Sequence, residues 1–202
     1  MTEGSVRGIS VGVLGGSFDP VHNAHLAMAR AALDGLGLSE VLWIPSGTPP
    51  HRDPPLASAE YRAAMVRIAI AGEPRFVLDE REMRKPSPSY TVETLEDLRR
   101  ELGTAVRLFL LIGADQNARL ETWHRHADLF SLATIAVFAR PGLALENAGR
   151  VTIVPMVPQD ISSTAIRKRI AKGESARGLL PEAVLDYIET HRLYSTQERR
   201  TR

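Results

Sequence analysis

The chain has 202 residues, 44% of them hydrophobic and 24% charged, with a formal net charge of +1; that is enough for one compact domain with a substantial core, expected to span 1–202 with an ordered part over about 8–195. Near-neutral charge offers no broad basic field for nucleic acid or a membrane surface, and the absence of cysteine excludes disulfides, thiol nucleophiles and cysteine-ligated zinc or iron–sulfur centres. No stretch reaches the roughly 20 apolar residues of a membrane span and no signal-peptide pattern opens the chain, so a cytoplasmic location is expected.

Apolar, β-branched runs predict strands at Ile9–Leu14, Val41–Ile44, Phe76–Leu78, Val106–Ile112, Thr134–Phe138 and Val151–Val154. Helical patterns follow most of them, at His22–Leu36, Tyr61–Ala71, Thr91–Glu101, Ala127–Leu132, Thr164–Lys172 and Pro181–His191. Such alternation predicts an α/β fold: a Rossmann-like, doubly wound parallel sheet with helices on both faces. The runs Ile9–Leu14 and Val106–Ile112 are almost continuously apolar, as central strands buried on both sides require. Ligands of such sheets gather at the carboxyl ends of strands. Gly15-Gly16 ends one central run and Gly113-Ala114-Asp115 ends the other. The polar, proline-rich stretch Pro45–Pro55 is long for a connector and is expected to be a substrate loop. Neither Gly-x-Gly-x-x-Gly after the first strand nor a Gly-Lys-Ser/Thr P-loop is present, which disfavours nicotinamide-dinucleotide oxidoreductases and P-loop kinases.

The most informative run is Gly15-Gly16-Ser17-Phe18-Asp19-Pro20-Val21-His22-Asn23-Ala24-His25. It places two glycines at a strand-to-helix turn and two histidines at the start of the helix. A helix N-terminus has free N–H groups and the positive end of the dipole, so it attracts anions. Histidines three apart share a face. The run thus describes a phosphate pocket with two imidazoles aimed at it. A second anion site is expected at Ile161-Ser162-Ser163-Thr164-Ala165-Ile166-Arg167, where hydroxyls open a helix and Arg167 projects from its first turn. A guanidinium fork suits phosphate oxygens better than an ammonium does. Taken singly, each feature has a plainer meaning. Ser162 alone reads as a helix cap, Arg167 alone as a solvated side chain, and His-x-x-His arises by chance.

Taken together, these segments resemble a known family. Gly16, Phe18, Pro20, His22 and His25 match the Gly-x-Phe-x-Pro-x-His-x-x-His signature of the HIGH-type nucleotidyltransferases, with Ala24 where Gly is usual. The later segment is similar to that superfamily's Ile-Ser-Ser-Thr-x-Ile-Arg signature at every defined position. Asp79–Met83, Pro88–Leu95, Pro49–Arg52, Ile112–Asp115 with Trp123, and Arg140-Pro141-Gly142 resemble stretches of bacterial nicotinate-nucleotide adenylyltransferases. The likeness runs from Gly12 to Tyr194.

The resemblance implies transfer of the adenylyl group of ATP to nicotinate mononucleotide, giving nicotinate adenine dinucleotide and pyrophosphate, in NAD biosynthesis. His22, His25 and Arg167 would be catalytic. Gly15, Gly16, Ser17, Phe18, Ile112, Gly113, Asp115, Arg140, Ile161, Ser162, Ser163 and Thr164 would bind ATP. Trp123 would stack on the pyridine ring, with His124 and Thr91 beside the ring carboxylate. His51 and Arg52 would serve the mononucleotide and close over the phosphates. On the residues alone, Trp123 reads as a core tryptophan, Asp115 equally as a helix N-cap, and Arg140 as a surface turn residue. Trp43 is assigned to the core.

The attacking 5′-phosphate is already ionised, so no general base is required. Catalysis reduces to positioning two anions and stabilising the transferring charge. Mg²⁺ would enter on the triphosphate with few or no protein ligands. Three other readings are carried: a same-fold enzyme preferring nicotinamide mononucleotide, a same-fold pantetheine-phosphate, flavin or cytidylyl transferase, and a non-catalytic nucleotide sensor. Nucleic-acid and membrane partners are not expected. Oligomeric state is left open, a homo-oligomer included.

Overall fold

The computed structural model describes residues 8–47, 54–85, 88–139 and 149–195. Its strands are β1 (Ser10–Gly16), β2 (Glu40–Pro45), β3 (Phe76–Leu78), β4 (Arg107–Gly113), β5 (Thr134–Ala139) and β6 (Thr152–Pro155). Its helices are α1 (Asn23–Leu36), α2 (Ala59–Ile70), α3 (Thr91–Leu102), α4 (Ala114–Asn117), α5 (His126–Leu132), α6 (Ser163–Ala171) and α7 (Glu182–Thr190). A turn of 3-10 helix covers Leu120–Thr122.

The six strands form one sheet in the order β3-β2-β1-β4-β5-β6. Every pairing is parallel. Side chains alternate between two cores, as period-two geometry demands. Val11, Val13, Leu108, Leu110 and Ile112 face α3 and α5, against Leu95, Leu98 and Leu129. Leu14, Trp43, Phe109 and Leu111 face the other way, against Leu33 of α1, Val66 of α2 and Ile188 of α7. Both faces are therefore covered, which is why the central strands read as unbroken apolar runs. Gly12 packs closely: a Cβ there would lie 2.8 Å from Leu38 Cδ1, so that side chain would have to shift.

The doubly wound order puts the crevice between β1 and β4, where the chain's direction of travel across the sheet reverses. Gly15-Gly16 and Gly113 end those two strands. α1 stops at Gly37, which adopts the left-handed conformation (φ 61°) and caps the helix through its N–H to Leu33 O.

Most element bounds shift by one or two residues from the sequence expectation, and Gly15-Gly16 and Gly113 lie within β1 and β4 rather than after them. His22 is the N-cap of α1 rather than its first residue. Between Gly113 and Arg125 the chain forms α4 and the 3-10 turn, both too short to show a 3.6-residue apolar period. Among the described residues no helix is long and apolar enough to cross a membrane.

Candidate active site

The turn after β1 is held from beneath. Phe18 is buried with φ 48°, its ring 5.1 Å from His25 and 5.5 Å from Trp43. Trp43 is fully buried, in the core as expected. Phe18 thus presents no ring to the crevice; it supports the histidine above it. The guanidinium of Arg62, itself 2% exposed, donates through Nη1 to Ser17 O and Ser46 O, each at 2.8 Å. The Ser46 N–H donates to Gly16 O at 2.8 Å. These bonds occupy the carbonyls of Gly16, Ser17 and Ser46 and so fix the turn.

The two imidazoles stack, centroids 3.7 Å apart and planes inclined by 22°. The His22 backbone N–H donates to His25 Nδ1 at 3.2 Å. A ring nitrogen that accepts cannot carry a proton, so His25 is protonated on Nε2 and that atom is a donor. Burial pushes His22 down to about 4. Burial first, and the neighbouring His22 second, hold His25 well below its ordinary value. Both are therefore neutral donors at pH 7 in the absence of ligand. Among the described residues His22 Nδ1 is buried without a hydrogen-bond partner, a polar atom whose desolvation is uncompensated. The helix N-terminus itself is less open than expected: the Asn23 N–H already donates to Leu179 O at 3.0 Å, and Asn23 Nδ2 donates to Gly178 O at 2.9 Å.

The second signature docks on this turn. Ser163 Oγ donates to Pro20 O at 2.9 Å, and Arg167 Nη1 donates to Asp19 O at 2.6 Å. Ser162 is the N-cap of α6, accepting the Ala165 N–H at 3.2 Å. Its plain structural meaning is thus real, whatever else it does. Ile161 is half-buried, and Thr164 is exposed with its Oγ1 3.4 Å from Arg167 Nη2. The histidine pair and the hydroxyl–arginine cluster, far apart in sequence, meet at Asp19-Pro20.

Across the crevice, Gly113 is the N-cap of α4, and its N–H donates to Gln116 Oε1 at 3.1 Å. Asp115 is not the cap; it sits exposed in the first turn of α4. Ile112 is buried in the α3/α5 core, so only its backbone can border a ligand.

Further along the carboxyl edge, Trp123 ends the 3-10 turn, half-buried against the α3/α5 core. His124 is exposed, and its ring packs on Tyr90 at 4.4 Å. Tyr90 is the N-cap of α3 and Thr91 its first residue. The Tyr90–His124 contact brings the start of α3, with Thr91, beside the Trp123-His124 segment. Arg125 pins this segment to α3, with Nη2 2.7 Å from Glu96 Oε1 and Nε 2.8 Å from Asp128 Oδ2. His51, Arg52 and Arg140 lie outside the described residues.

Sequence reasoning missed Asp19, Arg62 and Tyr194 as parts of this assembly. Arg62 had left a signal: it lies three and four residues before Met65 and Val66, on the buried stripe of α2. Asp19 and Tyr194 meet across 175 positions, and no local pattern announces such a bond.

Comparison with known proteins agrees with this geometry. Residues 13–169 match the family model described as Cytidylyltransferase-like. A protein of Laribacter hongkongensis named "Probable nicotinate-nucleotide adenylyltransferase" is 46% identical, over 94% of this chain and 96% of its own length. One of the same name from Dechloromonas aromatica is 46% identical, over 91% and 97%. The structure of the nicotinic acid mononucleotide adenylyltransferase of Plasmodium falciparum complexed with NaAD superimposes with a TM-score of 0.78 at 17% identity, covering 92% of this chain and 97% of that one, which is a likeness of fold. A two-signature crevice at the switch point of a doubly wound sheet, and near-full-length relatives of one name, lead to the same statement: this chain belongs to the nicotinate-nucleotide adenylyltransferase family.

Proposed function

We propose that this protein transfers the adenylyl group of ATP to nicotinate mononucleotide, releasing pyrophosphate and forming nicotinate adenine dinucleotide, a step of NAD biosynthesis. The observation that carries the reading is the docking of Ser163 and Arg167 on the backbone of Asp19 and Pro20. It ties the start of α6 and Arg167 to the turn that carries the two imidazoles, which supports one triphosphate reaching both.

The mononucleotide 5′-phosphate attacks the α-phosphorus of ATP, and the bond to the bridging oxygen of pyrophosphate breaks. No proton has to be removed from the nucleophile. The chain's task is electrostatic: to hold two anions in line and receive the charge that develops. His25 Nε2–H donates to the transferring phosphoryl group, with His22 beside it. Neutral imidazoles suffice, because a preorganised donor in a water-poor site stabilises developing charge without being charged itself. Arg167, Ser162, Ser163 and Thr164 hold the outer phosphates, and Gly15, Gly16 and Ser17 line the approach. Gly113 and the exposed carboxylate of Asp115 are suited to the adenosine side. Trp123 offers a flat π-face to the cationic pyridinium. Among the described residues no group of three or more His, Asp or Glu side chains could hold a metal ion, and Mg²⁺ commonly binds through substrate phosphates and water. Mg²⁺ carried by ATP supplies charge screening of the triphosphate.

The test is an assay of the purified chain with ATP, Mg²⁺ and either nicotinate mononucleotide or its amide, following pyrophosphate and the dinucleotide. Faster turnover with the acid is expected. No dinucleotide from either substrate, with ATP bound, would make the chain a nucleotide sensor; preference for the amide would reassign its substrate.

A further inference from the structure

Tyr194 lies in the turn after α7, and its phenol has no part in the chemistry above. Its hydroxyl donates to Asp19 Oδ1 at 2.7 Å. The same carboxylate, 3% exposed, accepts the Ala57 N–H on Oδ1 at 3.1 Å and the Leu56 N–H on Oδ2 at 2.9 Å. Arg167 Nη1 stands 3.6 Å from Oδ2, an ion pair without a close hydrogen bond. Burial, the Asp19 charge and the hydrogen bond to it all push the Tyr194 phenol well above its ordinary range, so its proton stays on oxygen.

The backbone at both ends of this bond is strained. Phe18 (φ 48°), Arg192 (φ 54°) and Tyr194 (φ 65°) all occupy the left-handed region that favours glycine. Such residues persist where the surroundings over-determine them, and they cluster at functional sites.

The arrangement has a directional consequence. A carboxylate beside a guanidinium tends to form a short, bidentate pair. Here three other donors occupy the Asp19 oxygens, so Arg167 is attracted but not captured. Two of its N–H groups are used, on Asp19 O and Thr164 Oγ1, and its side chain remains 24% exposed.

We propose that Tyr194 is a positioning residue: its hydroxyl on Oδ1 fixes the orientation of the Asp19 carboxylate and so holds Arg167 Nη1 3.6 Å from Oδ2 rather than in a close pair, leaving N–H groups of the guanidinium for the outer phosphates of ATP. This rests on the reading of Arg167 as a phosphate ligand. Without the hydroxyl, Asp19 turns toward Arg167 and draws it into a close pair, weakening the hold on ATP while leaving the pyridine end untouched.

The experiment compares Tyr194→Phe, Arg167→Ala and the double variant with the parent, measuring KM for ATP, KM for nicotinate mononucleotide, kcat and Tm. Tyr194→Phe keeps the ring and removes only the hydroxyl. It is expected to raise KM for ATP about fivefold, within the range shown by coupled neighbours, with KM for the mononucleotide unchanged. In the Arg167→Ala background the same substitution is expected to leave KM for ATP unaltered. A lowered Tm with unchanged KM for ATP would reduce Tyr194 to a staple of the chain end and overturn the proposal. An equal rise in both backgrounds would also overturn it, because the effect would not pass through Arg167. If Arg167→Ala alone leaves KM for ATP and kcat unchanged, the phosphate reading itself fails, a result distinct from the other two.

Discussion

The proposed phosphate end and the proposed pyridine end of the crevice are built differently. At the phosphate end, buried groups fix one another: Arg62 on Ser17 and Ser46, Asp19 under Arg167 and Tyr194, His25 against the His22 N–H. At the pyridine end, Trp123 is half-buried, His124 is exposed, and the main tether is the partly exposed Arg125–Glu96 pair. The difference suits what each end is proposed to recognise. Developing charge on phosphate is stabilised by donors that need no reorganisation at the moment of reaction. A flat cationic ring is held by a π-face, which tolerates small displacements.

This contrast can be broken most forcefully at His25. We expect His25→Ala to lower kcat by roughly two to three orders of magnitude, the effect of losing one preorganised donor, with Tm shifted by only a few degrees, since about 1 kcal/mol moves a chain of this size by roughly 2–4 °C. Near-normal turnover in steady-state kinetics would remove the rigid donor from the account.

Acid should loosen the phosphate end. His22 titrates near 6.5 unfolded and at about 4 folded, so the unfolded chain binds the proton more readily in that window. Stability is full above pH 6.5 and falls as pH drops toward 4, by about 2 kcal/mol from His22 alone at pH 5, at about 1.4 kcal/mol per pH unit. His25 acts in the same sense. Thermal melts should show a smaller loss between pH 7 and pH 5 in His22→Asn, which keeps a good helix cap. Identical losses in the two proteins would contradict the buried neutral pair.

At the pyridine end the expected effects are smaller. Trp123→Ala should raise KM for nicotinate mononucleotide about tenfold, the scale of one stacking or cation–π contact, with KM for ATP held. Equal effects on both substrates would mean Trp123 supports the fold rather than the ring. Glu96→Gln should cost less than about 0.5 kcal/mol in denaturant unfolding, as exposed pairs do. A loss of several kcal/mol would show that this end is as tightly built as the other.

The same contrast governs how much was legible in the sequence. All six strands and the six longer helices read correctly, because each is a short apolar run or an amphipathic stripe ended by Gly, Pro or a cap. The two signatures were legible because each is contiguous. That they converge was an expectation, met through Asp19 and Pro20. Asp115 sits two residues past the cap position of its alternative role, which Gly113 took. The Tyr90–His124 contact escaped notice because the two rings lie on different elements. Asp19 and Tyr194 were invisible for a related reason: a hydrogen bond between distant segments leaves no period and no spacing.

The central claim is that one triphosphate spans both signatures. Its most direct test is the crystal structure of a complex with a non-hydrolysable ATP analogue and Mg²⁺. Phosphate oxygens within hydrogen-bonding distance of both His25 Nε2 and the Arg167 guanidinium are expected. A triphosphate seated on one of them alone, with the other facing solvent, would contradict the account.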